Sequence, residues 1–144
     1  MRAHTLTLAC ILAAGLGAAP DTGRAQDMMT TCATDIGQFC RDVSNGRGRV
    51  LACLIAHGGK VSPACMADVT ATAERGSGNP LVPSGVRKML QGGGSAAVPE
   101  VCSADAASLC AGASPGAEHT LACLYARGDR VSDACSSGVR GALR

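Results

Sequence analysis

The sequence predicts an all-α protein of two tandem small three-helix units, each held by two disulfides and joined by a Gly/Pro/Ser-rich linker. Three observations predict it. Cys32, Cys40, Cys53 and Cys65 recur seventy residues later as Cys102, Cys110, Cys123 and Cys135, with the spacing C-x7-C-x12-C-x11-C in both copies. Apolar residues inside each copy follow a helical period. The 144 residues include one Phe, one Tyr and no Trp, so the bulkiest fillers of an ordinary core are missing.

The repetition extends beyond cysteine. Residues 32–74 and 102–144 align without a gap, and sixteen of the forty-three pairs are identical. Among them are Asp35/Asp105, Ser44/Ser114, Gly58/Gly128 and Ser62/Ser132, and Leu51-Ala52-Cys53-Leu54 returns as Leu121-Ala122-Cys123-Leu124. A fixed period of this kind decides the architecture before any local reading.

Residues 1–25 read as a secretory signal peptide. Arg2 and His4 open it, Leu6 to Ala19 form an apolar run, and Gly23-Arg24-Ala25 supplies small residues for cleavage after Ala25. The run is short for a bilayer span. Cys10 lies inside it and not at its end, which argues against lipidation. Cleavage removes Arg2, Asp21 and Arg24 and leaves a formal charge of +1 with eight cysteines. An even cysteine count behind a leader predicts disulfides and a periplasmic or secreted location.

Residues 26–29 are expected to be a loose tail, followed by unit one at 30–75. Its first helix carries Cys32, Ile36, Phe39 and Cys40 on one face, matched by Cys102, Ala106, Leu109 and Cys110. Ser44-Asn45-Gly46 makes a turn. A middle helix at about 47–57 presents a broad apolar arc of Val50, Leu51, Cys53 and Leu54. Gly58 and Gly128 are expected to end the middle helices in the left-handed conformation. Ser62 and Ser132 are N-caps for the third helices, with Pro63 or Asp133 in first position. Residues 76–99 form the flexible linker, whose centre from Ser84 holds a helical turn or two through Val86, Met89 and Leu90. Unit two spans 100–144.

A unit this small buries too little apolar surface to offset its ordering entropy without staples. On a continuous helix, cysteines eight apart have Cα atoms about 12 Å from each other, beyond the roughly 7 Å that a disulfide tolerates. Cys32 should therefore not bond Cys40. A nested pairing and a crossed one remain. An antiparallel hairpin favours the nested one, Cys32–Cys65 with Cys40–Cys53 and Cys102–Cys135 with Cys110–Cys123. The chain-entropy model gives roughly 3 kcal/mol for each shorter loop and nearly 4 for each longer one.

Other uses of the cysteines fit less well. Soft thiolates suit copper(I) or zinc, so thiol-based metal storage is the alternative reading. The chain lacks C-x-x-C and C-x-C pairs, and its histidines do not repeat: His57 aligns with Arg127, and His119 with Arg49. A thiol–disulfide oxidoreductase needs a resolving partner beside its low-pKa cysteine, and Cys65 and Cys135 have none. Hydrolytic constellations are missing, so no catalytic residue and no cofactor are expected. Asp35 and Asp105 suit a helix N-terminus. Arg47, Arg49 and Lys60 in unit one, with Arg127, Arg130, Arg140 and Arg144 in unit two, read as solvated faces. The near-balanced charge gives no case for nucleic acid.

These residues resemble a known module. Gly48 to His57, then Val61-Ser62-Pro63-Ala64-Cys65, with Cys32-Ala33-Thr34-Asp35-Ile36 and Phe39-Cys40 upstream, resemble the cysteine-rich repeat of the Golgi cysteine-rich fibroblast-growth-factor-receptor family. The second unit departs at Ala106, Thr120 and Arg127, which replace Ile36, Val50 and His57. The resemblance implies a secreted, disulfide-bonded helical repeat without catalysis. The leader and the Ala/Gly/Arg-rich composition read as those of a bacterial, two-repeat member. The cysteine repeat and the missing catalytic constellation point to a binding module whose partner is a protein or an envelope component, with no stable membrane insertion once the leader is removed.

Overall fold

The computed structural model describes residues 28–75, 84–90 and 97–144. The expected signal peptide, and the linker residues 76–83 and 91–96, lie outside these. Unit one contains α1 (Ala33–Phe39), α2 (Arg49–Ala56) and α3 (Pro63–Arg75). Next come α4 (Ser84–Leu90), a 3-10 turn at Glu100–Cys102, and unit two with α5 (Ser103–Leu109), α6 (Ala117–Ala126) and α7 (Asp133–Ala142). Among the described residues there is no strand. The fold is all-α, with three short helices in each repeat.

Each repeat closes in the same way. Cys32 and Cys40 sit just outside the two ends of α1. Cys32 joins Cys65 in the first turns of α3, and Cys40 joins Cys53 in α2, so one bond clamps each end of α1. A hydrogen-bonded brace parallels the first clamp. The Asp35 carboxylate accepts from the backbone N–H of Ser62 at 3.1 Å and from its hydroxyl at 2.8 Å. Ser62 Oγ in turn caps α3 by accepting from Cys65 N–H at 3.3 Å. Unit two repeats this with Asp105, Ser132 and Cys135. Asp35 thus has a specific partner across the fold, beyond the favourable dipole at the start of α1.

The middle helices are buried almost all round. Leu51 to Ala56 form an unbroken buried run in α2, and in α6 Leu121, Ala122, Cys123, Leu124 and Ala126 are buried. A helix apolar on every side needs cover on every side. One side of α2 lies on α1 and α3 of its own repeat. The most extensive helix–helix packing in the molecule supplies the rest: α2 lies against α6, so the two repeats share one core.

α4 ties the C-terminal end to this body, packing against α3 and meeting the end of α7. The helical turns expected at the centre of the linker are present, and they bury Val86 and Met89. Gly85 N–H donates to the Leu143 carbonyl at 3.1 Å, and a Cβ on Gly85 would lie 2.6 Å from that backbone, so only glycine permits the approach.

One local expectation fails. Gly58 and Gly128 do not have positive φ. After α2 the chain tightens, with Gly58 N–H donating to the Ile55 carbonyl at 3.0 Å and Lys60 N–H to the His57 carbonyl at 2.8 Å. A Cβ on Gly58 would sit 3.2 Å from Ile55 O, and one on Gly128 3.1 Å from Tyr125 O. Crowding against that carbonyl, and not handedness, accounts for glycine there. The left-handed residues instead precede α2: Gly46, Arg47 and Gly48 have φ of 103°, 49° and 70°.

The two braces differ in burial, since Asp35 is 7% exposed whereas the Asp105 contacts are solvent-exposed. Asp35→Ala should lower stability by roughly 2 kcal/mol, as expected for a buried hydrogen-bonded charge. Asp105→Ala should cost less. Thermal melts of the two variants check the order.

Candidate functional site

The eight expected site residues come together as four disulfides in the nested arrangement. Cys32–Cys65 and Cys102–Cys135 have Cα separations of 4.8 and 4.7 Å, and Cys40–Cys53 and Cys110–Cys123 of 6.0 and 5.9 Å. All eight cysteines are buried. Sulfurs joined in pairs offer no thiolate for a nucleophile or a soft metal ion. Among the described residues, no three His, Cys, Asp or Glu side chains converge as a metal site.

The chemistry-bearing side chains that remain concentrate along the seam between the repeats. Asp42, after α1, accepts from Arg127 and, at 2.8 Å, from Arg130 of unit two. Ser44 donates to Asp129, which also faces Arg49 at 3.4 Å. Lys60 donates to the Gly112 carbonyl at 2.9 Å, and Gly59 N–H to Ser114 Oγ at 3.1 Å. His119 Nδ1 lies 2.9 Å from the Ile55 carbonyl, and the Tyr125 hydroxyl donates to the Arg47 carbonyl. Shifting by seventy converts the Asp42–Arg130 contact into Gly112–Lys60, and Ser44–Asp129 into Ser114–Gly59. These two contacts thus have mirrors, as in an isologous interface, here formed within one chain.

The solvated-face reading of the basic residues is therefore corrected in part. Arg49, Lys60, Arg127 and Arg130 are committed to the seam, whereas Arg140 stays on the surface beside Ser136 and Ser137. Comparing the repeats could not reveal this, because the seam's carboxylates are not repeated. Asp42 aligns with Gly112, and Asp129 with Gly59. Opposite charges placed one per unit were the available signal.

The electrostatics follow the pairing. The hydrogen bond from Arg127, then its charge and that of Arg130, hold the Asp42 carboxyl below the ordinary 3.8, against the opposing effect of burial. Ser44's hydrogen bond does most to lower Asp129. Burial raises the Tyr125 phenol. His57, stacked on Phe39 with ring centroids 5.1 Å apart, is lowered by burial first and by the Lys60 and Arg127 charges next.

Residues 22–61 match the family model described as the cysteine rich repeat, a span that takes in Cys32, Cys40 and Cys53. This segment of the chain is similar to that repeat. Unit two, outside the matched span, has the same cysteine spacing, disulfides and helix order as unit one. No curated protein and no solved structure matches the chain. Among the described residues no helix is long and apolar enough to cross a membrane.

A depressed carboxylate pKa supplies stability that is present above the unfolded value and lost as pH falls through the folded one. Asp42→Asn should cost about 1 kcal/mol or less at neutral pH, since the pair is half exposed and screened. It should also flatten the loss of melting temperature between about pH 5 and about pH 2. Melting curves across that range test both outcomes.

Proposed function

We propose that this disulfide-bonded helical repeat protein is a non-enzymatic interaction module of the periplasm or of the secreted fraction, bound by a protein or an envelope component. One observation carries the reading. All the cysteines of the described residues, and much of their charge, hold the molecule together: the eight cysteines form four disulfides, Asp35 and Asp105 make braces, and Asp42, Asp129 and their arginines bridge the seam. A scaffold so stapled presents a fixed surface, which favours recognition by cutting the ordering cost of binding.

The identities between the repeats support the same reading. They fall on disulfides, core positions such as Leu54/Leu124 and Val69/Val139, and caps such as Ser62/Ser132. Several exposed positions have diverged, with Arg41 against Ala111 and Ala67 against Ser137. Two surfaces with different side chains suit one composite partner better than two identical ligands.

Protein isolated from its native compartment without reductant should weigh eight hydrogens less than the reduced mature chain, two for each disulfide. Used as bait, that oxidised protein should recover an envelope component that the reduced protein does not. Eight titratable thiols in the native material, or equal recovery by oxidised and reduced bait, would overturn the proposal.

A further inference from the structure

No disulfide crosses the seam: both bonds of each pair lie within one repeat. The halves are held to each other by helix packing and polar contacts alone. The seam is therefore the one large surface that can open while both repeats keep their covalent clamps.

His57 occupies a telling position in it. It is the C-terminal cap of α2, and the equivalent cap of α6 is Arg127. Its ring stacks on Phe39 from α1, and Nδ1 is shut away from solvent with no hydrogen-bond partner. Across the seam the ring faces Gly112, whose Cα would carry a Cβ only 3.9 Å from His57 Cε1. The charged groups acting on the ring are Lys60 from its own repeat, Arg127 from the other, and Asp42. Asp42 is already shared between Arg127 and Arg130. A proton on His57 would add a cation beside Lys60 and Arg127, a cost that the Gly112 backbone hydrogen bond and the Asp42 charge offset only in part.

We propose that His57 is a proton-operated latch, whose protonation parts the two repeats while each stays closed by its own disulfides. The sign follows from linkage. Burial and the Lys60 and Arg127 charges lower the folded-state pKa of His57 from 6.5. The open form, with the ring in water, binds the proton more readily. The closed seam is thus fully favoured above the ordinary histidine value and loses ground as pH falls below it. Between the two pKa values, the closed-to-open ratio drops by about tenfold per pH unit, the dependence of one proton. Asp42 and Asp129 do not interfere, since both are held below 3.8 and stay charged in that window.

The molecule carries its own reporter. Tyr125 is the single tyrosine in a chain without tryptophan, and its hydroxyl bonds Arg47 of the other repeat. The full-length oxidised protein is titrated from about pH 8 to about pH 4.5, with Tyr125 emission reporting the seam and far-ultraviolet circular dichroism reporting the helices. Tyr125 emission should shift with a midpoint below 6.5 while the helical signal holds. His57→Gln should abolish the shift. His119→Gln, at the other seam histidine, should preserve it. His57→Arg should show the open signal at neutral pH. Should His57→Gln lose its helical signal at neutral pH, the wild-type imidazole is followed by NMR, and its titration must coincide with the Tyr125 shift. A shift that survives His57→Gln, no shift in the wild type, helical loss in the same step, or mismatched midpoints would overturn the latch.

Discussion

A helical run with no polar side must be covered all round, and Leu51–Ala56 of α2 and Leu121–Ala126 of α6 are such runs. Their own repeats cover one side through the clamps at Cys40–Cys53 and Cys110–Cys123. That cover is thin, because α1 and α5 are seven residues long and the chain has one Phe, one Tyr and no Trp. The remaining side is apolar too, and water there would cost about 25 cal/mol for each Å² left uncovered. Each repeat resolves this by covering the other. The paired organisation thus follows from the composition of one middle helix in each unit, eight residues long in unit one and ten in unit two.

What makes the pair hold as one particular arrangement is its polar asymmetry. Packing of Leu against Leu would accept two copies of either repeat equally well. The ion pairs do not, because unit one contributes Asp42 and unit two contributes Arg127 and Arg130, while the mirrored positions carry Gly112, His57 and Lys60. Two copies of unit two would bring two such arginine pairs to glycines and leave them without carboxylates. Charge therefore assigns the partner, and apolar area supplies most of the attraction. The chain resembles a heterodimer whose two subunits were written in one sequence.

Much of this was legible in the sequence because disulfides, caps and helical faces are local. The spacing of Cys32, Cys40, Cys53 and Cys65 limits which sulfurs can meet, Ser62 announces α3, and Cys65 and Val69 recur at helical intervals on its buried face. What escaped was whatever depends on a partner far along the chain. Asp35 read as an acid at a helix start, although its ligand is Ser62 twenty-seven residues on. Gly58 read as a left-handed cap because glycine answers to two constraints, handedness and crowding, that sequence does not separate. The seam was invisible to the comparison of repeats for the reason given above: that comparison retains identities, and a complementary interface is built from differences.

The nested clamps also bear on how the chain finds its covalent structure. Eight thiols considered together admit 105 pairings, but four admit only three. Since every bond lies inside its own repeat, a unit that collapses before its neighbour is available faces three choices and not a hundred. α1 removes one of them by holding its two cysteines apart, one at either end. Correct oxidation can thus be reached one repeat at a time, with the order of synthesis serving as the sorting device.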